Sequence, residues 1–287
     1  VFGTIKGTVF AMLFALPMAV LAALYTAEFA SPKVRSVVKP TVELMASLPS
    51  VILGFLAGLW LAPMLEHYII GTALLLLLTP VVVLLGAFGW RQLPRNVRAH
   101  LPANAELVAL ILLTLGSTVV ALLCGPSVET ALFGGGLPRW LAEETSLRFD
   151  QRNCLVIGFA MGFAVIPLIF TICEDALSSV PASLRAASLG LGATRWQTAV
   201  RVVLPMALPG LFSAAMIGFG RAVGETMIVL MATGNTPILD WNIFTGMRTI
   251  SANIAVELPE APHQGTLYRI LFFSGLLLFF VTFALNT

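Results

Sequence analysis

Six stretches of this chain run for about twenty residues without a single charged side chain. They lie between Lys6 and Glu28, Glu43 and Glu66, His67 and Arg91, Glu106 and Glu129, Arg152 and Glu174, and after Arg269. A seventh, about Leu208 to Thr233, is apolar except for Arg221 and Glu225. A bilayer core of about 30 Å is crossed by roughly 20 helical residues, and hydrocarbon gives unpaired backbone groups no partner. The expectation is therefore an all-α, polytopic membrane helix bundle of about seven spans, with lipid as its solvent. Composition agrees: 58% of the 287 residues are hydrophobic and only 10% charged, with mean hydropathy +0.95, well outside the range of soluble domains.

A net charge of +2 without any basic run leaves no nucleic-acid footprint. Cys124, Cys154 and Cys173 lack CxxC spacing and are read as packing residues. His67, His100 and His263 have no metal-ligand spacing and are placed in interfacial loops, so no metal site is expected. The glycine triplet Gly134 to Gly136 is not followed by Gly-Lys-Ser/Thr, so the chain itself has no P-loop for ATP. The sequence begins at Val1 and stops at Thr287 inside an apolar run; both ends are read as cut.

Lysine and arginine collect in alternate loops, which retains those loops on the cytoplasmic side. Lys33, Arg35 and Lys39, then Arg91, Arg95 and Arg98, then Arg185, Arg195 and Arg201 form one set of nine; the opposite set holds Arg139, Arg148, Arg152, Arg248 and Arg269 among eight acidic residues. The start of the chain is thus expected outside and its end inside. Long outer loops are expected at about Gly125 to Asn153 and Gly234 to Tyr268, with Trp90, Trp140 and Trp241 near span ends.

The loop 174–205 reads as two short cytoplasmic helices. Ser178 and Ser179 offer an N-cap, Pro181 suits a first turn, Gly190 and Gly192 stop the first helix, and Thr194 with Gln197 forms a capping box for the second, which Pro205 ends. Such a protrusion suits docking of another protein; an ordinary interhelical loop is the competing reading.

Arg221 and Glu225 stand four residues apart in Gly218-Phe219-Gly220-Arg221-Ala222-Val223-Gly224-Glu225-Thr226-Met227. Charges at mid-membrane cost about 2.5–3.5 kcal/mol on insertion scales and usually face a cavity. The i, i+4 spacing expects both on one helix face, where they can pair. Gly220 and Gly224 expect a smooth surface there for a neighbouring helix or a pore. A buried ion pair fastening two helices is the alternative. Pro49 is expected to interrupt its helix, with Ser47 and Ser50 lining a polar cavity; a simple kink competes with that.

The stretch Ala186-Ala187-Ser188-Leu189-Gly190-Leu191-Gly192, nine residues, then Val202-Val203-Leu204-Pro205 resembles the EAA loop of ABC-importer permeases, with Ala186 in place of the family's leading glutamate. The Arg221 segment is similar to the Gly-Arg-Ala-Leu-Gly-Glu-Thr motif of the phosphate-uptake branch. Ala46-Ser47-Leu48-Pro49-Ser50-Val51 and the span from Lys6 to Phe29 resemble further segments of it. The resemblance implies a type I importer permease in a bacterial inner membrane, moving phosphate or a related oxyanion by alternating access. It implies no catalysis in this chain, with ATP and Mg held by separate ABC ATPase subunits, a second permease subunit (identical or different) and an external phosphate-binding protein. Arg185, Ala186, Ala187, Ser188, Gly190, Gly192, Thr194, Leu204 and Pro205 would then couple to the ATPase. Arg221, Glu225, Thr226, Ser47 and Ser50 would line the substrate path. Residues 67–152 depart from that pattern and are read as a peripheral insertion with two extra spans and an outer loop; the family's first span is expected to be missing. An ion-coupled secondary transporter using Arg221 and Glu225 as a proton relay stays open as a different class.

Overall fold

A computed structural model describes residues 1–94, 105–134 and 136–286. Arg95, Arg98, His100 and Gly135 lie outside the described residues. Among the described residues there is no β-strand, and seven helices are long and apolar enough to cross a membrane. The chain divides into two compact units: Val1–Ala62 with Asp150–Thr287, and Pro63–Phe149.

In the first unit, α1 (Phe2–Glu28) lies along α8 (Cys154–Ser178). Small residues make this seam. Ala11, Ala15, Ala19 and Ala23 recur every fourth residue and are fully buried. Added Cβ atoms would meet the carbonyl oxygen of Phe10 at 3.3 Å from Gly158 and that of Ala11 at 3.2 Å from Gly162. In lipid, where apolar side chains gain little by leaving the solvent, backbone approach of this kind supplies the packing that holds helices together.

The chain then passes α2 (Pro32–Ala46), breaks at Ser47 to Pro49, and enters α3 (Ser50–Leu56). A π turn at Ala57–Leu61 carries the helix into α4 (Ala62–His67). Pro49, which has no N–H to continue α2, is the N-cap of α3 with extended backbone, φ −63° and ψ 130°.

Two short helices, α9 (Ala182–Gly190) and α10 (Arg195–Thr198), follow α8. Contrary to expectation, Ser178 and Ser179 do not cap α9. Ser178 still belongs to α8 and Ser179 is its C-cap, while Pro181 takes the N-cap position without a side-chain bond. Nor does Pro205 end the second helix. A π turn at Ala199–Val203 absorbs the missing donor, and the helix runs on as α11 (Leu204–Gly224). That span is thus continuous from Arg195 to Gly224. It packs against α8 in the opposite sense, Gly210 against Ala176 and Gly218 against Ile169.

The predicted span to Thr233 is interrupted. α11 stops at Gly224 and a separate short helix, α12 (Met227–Ala232), begins after Thr226. α12 lies beside α3 and the π turn after it: Cβ atoms added at Gly54 and Gly58 would fall 2.7 Å from the Met227 oxygen and 2.6 Å from the Met231 oxygen. α13 (Ile250–Glu257) and α14 (Thr266–Asn286) complete the unit.

The second unit contains a helical hairpin, α5 (Ile69–Gln92) against α6 (Ala105–Phe133), closed at one end by Gly71 and Gly125 and further along by Gly86 beside Leu113. α6 runs to Phe133, so the outer loop starts later than the expected Gly125. α7 (Leu137–Glu144) folds onto its own hairpin: Leu137 and Leu141 are buried and Trp140 meets Phe133 edge-on at 5.1 Å.

Candidate functional site

Two groups of residues carry the chemistry the sequence singled out. The first is the helical elbow formed by α9 and α10. Its turn depends on Gly192, whose φ of +89° is open to glycine and strained for other residues. The capping box forms as expected. The Gln197 amide donates to Thr194 Oγ1 at 3.2 Å, and the Thr194 amide donates to Gln197 Oε1 at 2.8 Å. Ser188 and Thr198 share a hydroxyl bond of 2.9 Å that pins the two helices together. Ala186, Ala187, Gly190 and Thr194 are exposed, Leu204 is half-buried and Pro205 is exposed. At the tip, Leu191 is 91% exposed and Trp196 58%, an apolar surface held on a hydrogen-bonded frame.

Arg185 takes no part in that exposed surface. Its Nε and Nη2 donate to Glu28 Oε1 at 3.0 and 2.9 Å, Nη2 also to the Leu177 oxygen at 2.7 Å, and Nη1 to the Val180 oxygen. The elbow is thereby tied to the end of α1. Close by, Glu174, only 1% exposed, accepts from Lys39 at 2.5 Å and from Ser178 at 3.0 Å, with Arg35 at 3.9 Å. The segments that follow α1 and α8 therefore lie together at one end of those two helices. At the other end of α1, Lys6 is fully buried and donates to Thr245 Oγ1 at 2.9 Å.

Sequence reading treated Lys6, Glu28 and Glu174 as edges of apolar windows and gave them no role. Their position at those edges was the only signal of their partnerships.

The second group surrounds the break after α11. Arg221, in the last turn, is exposed. Glu225 does not lie on its face. The helix has already ended, and Glu225 has extended backbone with φ −67° and ψ 126°. Its carboxylate accepts from the Ile228 amide at 3.4 Å, at the start of α12, and its carbonyl accepts from Ser251 Oγ at 2.9 Å. No ion pair joins Arg221 to Glu225 among the described residues. The same-face pairing expected from i, i+4 spacing fails because that spacing has meaning only within continuous helix.

Thr226 donates to the Gly224 oxygen at 3.2 Å and is the N-cap of α12. Ser50 opens α3, so Thr226 and Ser50 begin two short helices that pack side by side. Ser47 lies apart from this group in its bonding. It is exposed, and its hydroxyl donates to the Leu44 oxygen at 2.7 Å.

Seven helices long and apolar enough to cross a membrane, one of them ending at an exposed guanidinium, and an exposed elbow tied to the first span define a polytopic membrane protein. The family model described as "Binding-protein-dependent transport system inner membrane component" matches residues 15–287, and the chain belongs to that family. It is 28% identical over 284 residues to the phosphate transport system permease protein PstC of Mesorhizobium japonicum, covering 99% of this chain and 68% of that protein. Identity to the phosphate transport system permease protein PstC 1 of Mycobacterium tuberculosis is 27% over 287 residues, 99% of this chain and 68% of that one. The phosphate transport system permease protein PstA 1 of the same organism is 35% identical over 151 residues, 52% of this chain and 47% of its own length.

Proposed function

We propose that this chain is a permease subunit of an ATP-driven importer that moves phosphate across a bacterial inner membrane by alternating access. The observation that supports it most is the exposed Arg221 at an interrupted span, in a chain whose relatives are named as phosphate permeases. A planar guanidinium offers paired donors to two oxygens of a tetrahedral oxyanion. Because Glu225 holds the start of α12 and makes no ion pair with Arg221 among the described residues, the guanidinium keeps its donors for a passing anion. Ser50 and Thr226 add hydroxyls at the starts of the adjoining helices, and Ser47 stands at the break before α3.

The elbow 174–205 is the coupling loop in this reading. Arg185, Ala186, Ala187, Ser188, Gly190, Gly192, Thr194, Leu204 and Pro205 shape or present it to ABC ATPase subunits, which bind ATP and Mg. A second permease subunit completes the path, an external phosphate-binding protein delivers the substrate, and residues 67–152 form an insertion. The chain itself performs no catalysis. A proton relay between Arg221 and Glu225 loses its geometric basis, since their side chains do not pair.

The test is uptake of radiolabelled phosphate by proteoliposomes of the whole complex. Uptake should require ATP and the binding protein and should be lost in Arg221→Ala, with insertion and ATPase docking intact. ATP-independent uptake, or normal uptake by that variant, would remove the assignment.

A further inference from the structure

The cytoplasmic end of α1 and the first half of α2 enclose a cavity of about 520 Å³ that the transport reading does not use. Its lining includes Arg35, Lys39, Arg195, Ser36 and Pro32, with Glu28 as the only carboxylate. We infer that this cavity binds the phosphate oxyanion of an anionic phospholipid headgroup from the cytoplasmic leaflet.

Two of the cations are seated by the chain itself. The open carbonyls ending α1 hold them: Arg35 donates through Nε and Nη2 to Thr26 at 3.3 and 3.0 Å and through Nη2 to Ala27 at 2.7 Å, while Arg195 donates to Glu28 at 3.3 Å. Helix C-termini present such unpaired carbonyls, and their dipole favours cations there. The guanidiniums are thereby fixed before any ligand arrives. Arg35 Nη1 makes no hydrogen bond among the described residues, so its two N–H groups remain for one.

The neighbouring acids are largely engaged. Glu28 is held by Arg185 at 2.9 Å, Glu174 faces Lys39 at 2.5 Å, and Asp175 stands 4.0 Å from Lys39 on an exposed side chain. Four cations (Arg35, Lys39, Arg185, Arg195) meet three carboxylates (Glu28, Glu174, Asp175), which leaves the site net positive. Its volume exceeds what one tetrahedral anion needs and suits a phosphoglycerol group. Ala27, Ala30, Pro32 and Pro40 supply apolar wall for the glycerol. Basic pockets at the cytoplasmic ends of spans are where anionic headgroups settle, at about 1 kcal/mol per Lys or Arg, or roughly fivefold in affinity.

The test uses the full permease with its partner subunits in neutral detergent, titrated with phosphatidylglycerol or phosphatidylcholine and read by native mass spectrometry. The wild type should retain phosphatidylglycerol selectively and unfold at a higher temperature in its presence. Arg195→Gln, an exposed change that leaves the Glu174 contacts in place, should weaken retention roughly fivefold, and Arg195→Glu further. Arg221→Ala should leave retention unchanged, which separates this site from the translocation path. Equal retention of the two lipids, wild-type retention in both Arg195 variants, or displacement of the lipid by millimolar orthophosphate would overturn the proposal.

Discussion

Arg185 reaches back over 157 residues of sequence to Glu28, and one carboxylate oxygen accepts from two nitrogens of its guanidinium at 2.9 and 3.0 Å. With side-chain exposures of 23% and 10%, the pair is half-withdrawn from water. It joins the first helix of the elbow to the end of α1, so the elbow is tied directly to a span.

Arg185→Ala leaves Glu28 without its partner and frees the Leu177 and Val180 carbonyls. The expected loss is about 2–3 kcal/mol of stability, read as a lower unfolding temperature of the detergent-purified complex. Glu28→Gln should cost less. The double variant should cost less than the sum of the two, as residues sharing one interaction do. Additive losses would show that the pair contributes no coupling energy.

At Arg221, removal of the guanidinium should lower phosphate uptake by roughly tenfold or more, the value of a charge-assisted hydrogen bond or two. Arg221→Lys keeps the charge and loses the planar fork, so its uptake should fall between those of wild type and Arg221→Ala. Initial rates in proteoliposomes decide it. Lysine performing as arginine would mean that charge alone is read.

Gly192 and Gly190 make a paired test. Neither has an atom within 4 Å of an added Cβ, yet only Gly192 has φ of +89°. Gly192→Ala should therefore cost about 1–2 kcal/mol from backbone strain alone. Gly190→Ala, at the end of α9, should be neutral or slightly favourable. Hydrogen exchange at the elbow would report both. Gly192→Trp meets no neighbouring atom but carries the same backbone strain as Gly192→Ala; in the proposed coupling role it should uncouple ATP hydrolysis from uptake beyond what Gly192→Ala does.

Gly54→Val places a Cβ 2.7 Å from the Met227 oxygen, where backbone faces backbone. Overpacking of this kind costs about 1–3 kcal/mol, and it should separate α3 from α12 and lower both thermal stability and uptake. Gly116→Ala, which meets nothing within 4 Å, is the control and should do neither.

Much of this chain could be read before any coordinates. The seven spans follow from apolar run length, a local property that the bilayer's thickness converts directly into structure. The Thr194–Gln197 capping box and the Gly192 turn are local as well, formed within a few residues. Where expectation failed, the backbone departed from the regular α-helical path that the spacing assumed. Pro205 was expected to end a helix, and the π turn before it carries the chain through. Arg221 and Glu225 were expected to pair, and Ser251 and Ile228 instead hold Glu225 out of the helix.

The sequence by itself determined that this is a multi-span membrane chain with one short helical elbow between spans, because hydrophobic length and turn chemistry need no distant partner. Only the tertiary structure decided where the charges go. Arg185 to Glu28, Lys39 to Glu174 and Lys6 to Thr245 are contacts between residues 135 or more positions apart, and an ion in a low-dielectric bundle takes whichever partner the packing of neighbouring helices brings within reach.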